Sequence, residues 1–207
     1  MCSFFENTDN RFVLSRQLIK DIKIDLKTNR NINIEKTRFS PTDTIGIVKQ
    51  NNKEFSLEPA QWGFKLSEKS PLIFNSRIET VIEKTFWSNL FMQNRCLMPA
   101  TAFFEWYRFK HTRIPYRIYL KDTEVFFIAG ITISFNSRLY ASMITTLPNG
   151  FIKNIHNRMP AIIFKGQIQE FLTADYETAM TLCSPLYQEK FTELFRSEKL
   201  ESLSRKS

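Results

Sequence analysis

The sequence predicts an α+β fold with a largely antiparallel sheet and separate helices. In the second half of the chain, short runs rich in β-branched and aromatic residues are separated by prolines or polar breaks. These breaks are too short for the helical crossovers that parallel strands need. Other segments repeat apolar residues at the spacing of one helix face. Hydrophobic residues make up 43% of the 207 residues, which is sufficient for a sizeable core.

Four segments have the periodicity of helices. In the first of them Leu14, Leu18, Ile22 and Leu26 form one stripe, although residues 22–26 also alternate as a strand would. The second stripe runs from Ile78 to Leu90 through Val81, Ile82 and Phe86. The predicted helices are 10–27, 77–93, 167–172 and 186–200.

Strands are predicted over 97–107, 116–121, 125–132, 139–146 and 159–164. The main sheet is therefore expected in the second half of the chain. Only five glycines occur, and no Pro/Ser-rich linker or internal repeat marks a boundary. We expect one domain over residues 1–200, followed by a polar tail over 201–207.

Charge and cysteine content narrow the range of functions. The net charge of +8 and a pI near 9.4 favour a polyanionic partner, such as nucleic acid or an anionic membrane surface. Three cysteines without metal-ligand spacing fit a reducing cytoplasm and predict neither a metal nor a disulfide framework. No apolar run reaches the roughly 20 residues that a membrane helix needs, and no export signal is recognisable.

Cys2 stands directly behind the initiator methionine. A cysteine that begins a mature chain carries an amine with a pKa of about 7.7–8.0 beside a thiol with a pKa of about 8.5. With an aldehyde, the amine forms a Schiff base and the thiol closes on the same carbon, which gives a five-membered thiazolidine. An internal cysteine lacks the amine, so this chemistry requires removal of Met1. The alternative is that a cysteine at position 2 has no role.

Glu105 lies among aromatic residues in the stretch FFEW. In a strand, Phe103, Glu105 and Tyr107 share one face, and Phe104 and Trp106 share the other. Desolvation by the rings would raise the carboxyl pKa toward the range of a proton-transfer group. The alternative is a solvated or lysine-paired glutamate at a strand end. We interpret Trp106 as a core residue.

His156, in the stretch IHNRMP, is well placed before a strand to act near neutral pH. The other histidine, His111, lies in a polar turn and is expected to be solvated. Asn75 and Arg77 lie at the entry to the second predicted helix. There Asn75 or Ser76 caps the helix, or Arg77 binds a phosphate where backbone amides favour anions.

The order and spacing of these stretches resemble the SRAP family, the SOS response-associated peptidase proteins that form DNA–protein crosslinks at abasic sites. The matching stretches are Met1-Cys2, Pro41 in RFSPT, QWGF at 61–64, FNSRIET at 74–80, RCLMPATAFFEW at 95–106, PYRI at 115–118, Ala129-Gly130, Thr145-Thr146 and IHNRMPAII at 155–163. Ser3 and Phe4 stand where the family usually has Gly-Arg. The resemblance implies a single SRAP-like domain with a barrel-like β core and flanking helices.

The resemblance also implies a site. Cys2 is the crosslinking nucleophile, and Asn75 holds its amine. Glu105 is the acid/base that assists opening of the deoxyribose and formation of the Schiff base. His156 stabilises or protonates the released sugar oxygen.

The same resemblance implies DNA contacts from Arg77 and Arg158 to phosphates flanking the lesion, and from Trp62 to an adjacent base. Cys96 is expected to be a packing thiol, and Cys183 is given no role. No cofactor is implied.

The leading hypothesis is a DNA-repair protein that links Cys2 to the aldehyde of an abasic site in single-stranded DNA. It implies a cytoplasmic monomer that is nucleoid-associated when bound to DNA. The alternatives are a cysteine-dependent peptidase, which acts only on its own N-terminus or in trans, and a non-covalent single-stranded DNA-binding protein.

Overall fold

The computed structural model describes residues 2–8, 27–28, 36–51 and 54–203, which form the predicted α+β fold. The strands are β1 Phe4–Glu6, β2 Lys27–Thr28, β3 Arg38–Phe39, β4 Thr44–Asn51, β5 Glu54–Trp62, β6 Asn75–Arg77, β7 Arg95–Ala100, β8 Ala102–Phe109, β9 Thr112–Leu120, β10 Phe126–Phe135, β11 Arg138–Thr146, β12 Met159–Pro160, β13 Ile162–Ile163 and β14 Phe195–Lys199. The helices are α1 Ile78–Glu83, α2 Thr85–Gln93, α3 Ile168–Thr173, α4 Tyr176–Cys183 and α5 Pro185–Glu189. Short 3-10 helices occupy Ile152–Asn154, Lys165–Gln167 and Thr192–Leu194.

The larger sheet closes into a barrel. Its path runs β11-β10-β7-β4-β5, and β5 pairs again with β11 through Gln61 with Tyr140 and Trp62 with Ala141. The β5–β11 pairing is parallel, whereas the other four pairings along this path are antiparallel. The barrel-like, largely antiparallel core is thus confirmed.

A second sheet has the order β14-β9-β8-β1-β3. β1 pairs antiparallel with β3 on one side and with β8 on the other. The first strand of the chain is therefore an interior strand of this sheet, and residues just before it are held by the pairing.

Both faces of the central barrel strands are buried. In β10, Phe127, Ala129 and Ile131 pack in a core with the helices, whereas Phe126 and Ile128 pack in a core shared with β1, β8 and β9. Burial on both faces explains why runs such as FFIAGI are almost continuously apolar rather than alternating.

The predicted helix over 77–93 is divided into α1 and α2, because Lys84 has extended backbone angles (φ −114°, ψ 117°). Its apolar stripe is not buried throughout. Ile78 and Val81 lie in the core, but Ile82 is 60% exposed and Phe86 is 46% exposed. The predicted helix over 10–27 lies outside the described residues except for Lys27, which is in β2.

The predicted helix over 186–200 is helical only at 186–189, within α5, and the prediction is wrong beyond that. The segment contains α5, a 3-10 turn and then β14, which pairs antiparallel with β9 from Phe195↔Leu120 to Lys199↔Tyr116. The expectation that the main sheet belongs to the second half is also incomplete, because β4 and β5 supply two barrel strands. No helix of the described residues is long and apolar enough to cross a membrane.

Candidate active site

The pairing of β1 with β8 places Cys2 near Glu105. Phe4 lies opposite Phe104 and Phe5 opposite Phe103, so the same register brings Cys2 level with Trp106. Cys2 is fully buried in the core between the two sheets. Its thiol donates to the carbonyl of Phe4 at 3.2 Å. Two residues more than 100 positions apart are therefore neighbours because of one antiparallel pairing.

Asn75 holds the backbone of Cys2. Its Nδ2 donates to the Cys2 carbonyl at 2.8 Å, and its Oδ1 is buried with no hydrogen-bond partner among the described residues. Asn75 itself is positioned by the parallel pairing of β6 with β11, in which it lies opposite Met143. The preceding carbonyl, that of Phe74, accepts from Trp62 Nε1 at 2.8 Å. The capping alternative is not observed, since Arg77 occupies the N-cap position without a side-chain cap and Ser76 contacts Ser142.

Glu105 and His156 form the second half of the site. Glu105 is in β8 and fully buried, and its Oε2 lies 3.6 Å from Nδ1 of His156. His156 follows the 3-10 helix over Ile152–Asn154, and its amide donates to the Ile152 carbonyl at 2.8 Å. The sequence-based prediction that Glu105 and His156 are neighbours agrees with this distance.

Burial controls the protonation of the site. Burial raises the pKa of Glu105 to about 8 and lowers the pKa of His156 below its usual value. Both directions favour a carboxylic acid beside a neutral imidazole over an ion pair. Burial, followed by the charge of Glu105, raises the pKa of the Cys2 thiol far above its usual value. The effect of Glu105 on this pKa is itself a sign that the two groups are close.

Arg158 lies beside His156 at the edge of the cleft, and its predicted contact with phosphate stays a prediction. Its guanidinium donates to both carboxylate oxygens of Glu79, at 2.7 and 2.9 Å, and to the Thr145 carbonyl at 2.6 Å. The side chain is only 10% exposed. The Arg158 backbone amide and carbonyl oxygen each lie 3.2 Å from Nδ1 of His156. Arg158 thus fixes the loop that carries His156.

An open cleft of about 870 Å³ leads to His156. Three exposed cations, Arg77, Arg108 and Lys153, line it together with the exposed carboxylate of Glu83, so its exposed charge is positive on balance and favours an anionic polymer. The half-buried ring of Trp106 also lines the cleft and packs against Phe4, with ring centroids 5.6 Å apart.

Trp62 was expected to contact DNA and Trp106 to lie in the core, and the structure shows the opposite exposure. Trp62 is fully buried, with its ring 5.1 Å from that of Phe5, so it offers no face to a base. Trp106, interpreted from the sequence as core, is the one that faces the cleft. The alternation of side chains in β8 puts Trp106 on the other face of the strand from Glu105. That pattern did not indicate that the face of Trp106 is partly exposed to solvent. Arg108 and Lys153 were not identified from the sequence, although both are basic neighbours of named residues.

Cys96 and His111 are where they were expected, and Cys183 had no predicted position. Cys96 and Cys183 are buried in the two cores, and His111 is exposed. Within the described residues, no three His, Cys, Asp or Glu side chains are grouped as metal ligands.

A buried cysteine, an acid with a raised pKa and an imidazole lie together beside a cleft with exposed cations. These residue types are the ones that nucleophilic addition with proton transfer uses. A family model described as SOS response associated peptidase (SRAP) matches residues 1–201. The chain belongs to the SRAP family.

Curated relatives support this membership. Abasic site processing protein YoaM of Bacillus subtilis is 33% identical over 144 residues, which are 64% of this chain and 63% of YoaM. Abasic site processing protein YedK of Escherichia coli is 24% identical over 200 residues, which are 91% of this chain and 89% of YedK. The match therefore spans less than two thirds of YoaM but most of YedK.

Solved structures have the same fold. A Bacteroides thetaiotaomicron protein superposes with a TM-score of 0.77 at 21% identity, covering 97% of this chain and 92% of that one. A phage-related protein of Bordetella bronchiseptica gives a TM-score of 0.71 at 15% identity, covering 97% of this chain and 95% of that one.

Proposed function

We propose that this protein processes abasic sites in single-stranded DNA by linking Cys2, after removal of Met1, to the lesion aldehyde as a thiazolidine. One observation carries the proposal: Asn75 fixes the Cys2 backbone beside the buried Glu105–His156 pair. The printed names of the relatives, abasic site processing proteins, support the same substrate. The basic cleft supports a nucleic-acid strand.

The first step opens the sugar. An abasic deoxyribose is mostly a cyclic hemiacetal, and opening moves a proton from its anomeric hydroxyl to the ring oxygen. Glu105 and His156 together shuttle this proton: one group receives the hydroxyl proton while the other donates to the oxygen. Two neutral partners suit this exchange because neither needs a counter-charge in the buried site.

The second step forms the Schiff base. The Cys2 amine adds to the aldehyde carbon, and the carbinolamine then loses water as its oxygen is protonated. The raised pKa of Glu105 keeps a proton available for that oxygen at neutral pH. Asn75 holds the Cys2 backbone in place, and positioning of this kind is worth up to about 7–11 kcal/mol of the barrier.

The third step closes the ring. The thiol sulfur bonds to the imine carbon, and the proton that leaves sulfur ends on nitrogen. The overall reaction joins amine, thiol and aldehyde with loss of one water. The product contains nitrogen, Cα, Cβ, sulfur and the former aldehyde carbon in one five-membered ring.

DNA binding is assigned to the open part of the cleft. Arg77, Arg108 and Lys153 contact phosphates, and Trp106 stacks on a base beside the lesion. Base stacking on an aromatic side chain is worth about 1–3 kcal/mol. Arg158 positions His156, and Trp62 positions Asn75. We expect the protein to act as a monomer, since each named group comes from one chain.

The thiol geometry does not favour the cysteine peptidase. A hydrolytic cysteine needs a thiolate, obtained by lowering the thiol pKa beside a histidine. Here burial raises the pKa of the Cys2 thiol, the thiol donates to the Phe4 carbonyl, and His156 contacts Glu105. An amine-first reaction needs no thiolate to begin.

The test is incubation of the protein with a single-stranded oligonucleotide that contains one abasic site, followed by intact mass. The expected adduct has the mass of protein without Met1 plus DNA minus one water. Cys2→Ser keeps the amine, so it forms an adduct only when borohydride reduces the Schiff base. Equal heat-stable adduct from wild type and Cys2→Ser, or from a chain extended before Cys2, contradicts the proposal. Comparable salt-dependent binding of intact and abasic strands, without an adduct, indicates the non-covalent binder instead.

A further inference from the structure

A second, smaller cavity lies beside the cleft and has no part in the chemistry above. Its volume is about 290 Å³, and it is lined by Tyr107, Tyr116, Phe151, Asn154, Ile155 and Ser197. Tyr107, Asn154 and Ile155 also line the cleft, so the two spaces are adjacent. A strand that runs through the cleft therefore passes beside this cavity.

The cavity is built on the same sheet face as Glu105. Tyr116 of β9 is the direct cross-strand partner of Glu105, and cross-strand partners project from the same face at about 4.5–5.5 Å between Cβ atoms. Tyr107 follows Glu105 by two positions in β8 and so shares that face. On the next strand, β14, Ser197 lies opposite Ile118, which is again two positions from Tyr116. The cavity therefore begins one side chain away from the proposed reaction centre.

The lining indicates the kind of group that fits. None of the six lining residues is charged, whereas Arg77, Arg108 and Lys153 line the adjoining cleft. Three lining side chains are aromatic, and Asn154 and Ser197 add an amide and a hydroxyl. A phosphate would find no cation here. A flat heterocycle would find ring faces to stack on and polar groups for its edge.

We propose that this cavity, the Tyr116 pocket, binds the nucleobase immediately next to the abasic sugar. The inference rests on the proposed function and adds a subsite to it. With that base in the Tyr116 pocket, the lesion sugar is held over Glu105 and the backbone phosphates remain among the cations of the cleft. The stretch PYRI, which includes Tyr116, thereby gains a role.

The test removes the base rather than the protein side chain. Three single-stranded oligonucleotides carry one reactive abasic site: one has both neighbouring bases, and in the other two a stable tetrahydrofuran spacer replaces either the 5′ or the 3′ neighbour. Crosslinking rates are measured with protein below saturation. Loss of the stacked base is expected to slow the wild-type rate by roughly fivefold to a hundredfold in one of the two arms.

Variants separate the Tyr116 pocket from the chemistry. Tyr116→Ala is expected to crosslink the oligonucleotide with both neighbouring bases slowly, and its rate should not change when a base is removed. Tyr116→Phe keeps an aromatic ring, so its rate should still fall when the base is removed. Ser197→Phe, which fills the pocket from an exposed position, should also abolish the dependence. The matched control is Tyr119→Ala, on the same strand but outside the pocket, which should retain the wild-type dependence.

Equal wild-type rates in all three oligonucleotides overturn the proposal, and this comparison requires no variant to fold. Unchanged base dependence in both Tyr116→Ala and Ser197→Phe overturns it as well. Failure of the wild type to form any thiazolidine with the intact-base oligonucleotide instead contradicts the proposed function, so the two failures are distinguishable.

Discussion

The side-chain amide of Asn75 donates a 2.8 Å hydrogen bond to the carbonyl of Cys2, across 73 positions of sequence. This bond ties Cys2, two positions before the start of β1, to β6 on the barrel. It holds the backbone of the proposed nucleophile without touching the reacting sulfur. Its contribution should therefore be visible in reaction rate more than in stability.

Asn75→Ala is expected to slow crosslinking about fivefold, because a typical hydrogen bond contributes about 1 kcal/mol. The rate of adduct formation on abasic single-stranded DNA measures the effect. Asn89→Ala, at an exposed position of α2, is the control and should react at the wild-type rate. An unchanged rate in Asn75→Ala would show that this bond does not position Cys2.

Glu105→Gln is expected to stabilise the fold at about pH 8 and to lose that advantage toward about pH 5. Burial raises the carboxyl pKa from 4.5 to about 8. Between those values the unfolded chain has released the proton and the folded chain retains it. The free energy of unfolding of the wild type therefore falls as pH rises, by an amount on the order of a few kcal/mol.

Urea unfolding at the two pH values measures this difference. His156 has a lowered pKa and contributes the opposite slope below its usual pKa, so the two proteins are also compared above that pKa, where His156 is neutral in both the folded and the unfolded chain. The control is Glu124→Gln at an exposed loop position, for which no pH-dependent gain is expected. A constant difference between wild type and Glu105→Gln across this range would contradict a buried protonated Glu105.

Arg108→Ala is expected to weaken binding to single-stranded DNA and to reduce its salt dependence. Each phosphate contact contributes about 0.7 to the slope of log affinity against log salt for single strands. Binding is measured on a strand with a tetrahydrofuran in place of the lesion, which cannot form a Schiff base. Arg138→Ala, exposed but outside the cleft, should leave the slope unchanged. Equal slopes for both variants would place the strand elsewhere.

Trp62→Phe is expected to destabilise the fold and to slow crosslinking together. It removes one of the two donors to the Phe74 carbonyl and leaves the Met143 amide at 3.0 Å, at a cost of about 1 kcal/mol for the lost hydrogen bond, and it loosens the segment that carries Asn75. Thermal unfolding and adduct rate are measured on the same preparation. Trp87→Phe, at a half-buried position of α2, is the control for loss of a tryptophan elsewhere in the fold. At temperatures where both variants are folded, only Trp62→Phe should slow adduct formation.

The sequence predicts the sheet better than it predicts the C-terminal region. Runs of β-branched and aromatic residues identify β9, β10 and β11 within a few residues, because these side chains pack directly in the two cores. β14 is different. Only Phe195 of this strand is buried, and its other residues are exposed, so backbone pairing with β9 stabilises it without a side-chain pattern. Because no alternation of buried and exposed side chains marks β14, the segment 186–200 was predicted as a helix.

For the site, too, one part was predicted from the sequence and another was not. The residue chemistry and the family resemblance indicate Cys2, Asn75, Glu105 and His156, and the fold brings these four residues together. Exposure was harder to predict. Trp62 and Trp106 are both tryptophans in matching stretches, and only the pairing of strands determines that the first is buried and the second faces the cleft. The pairing of Arg158 with Glu79 likewise depends on tertiary contact across 79 positions.

β1 lies between two neighbouring strands, and this has a mechanical consequence for the proposed adduct at Cys2. A pull on Cys2 along the strand axis would load the hydrogen bonds to β3 and β8 in shear, where they yield together, rather than unzipping them one after another. Attachment beside an interior strand would thus give the proposed link an anchorage that a loose terminal arm would not provide.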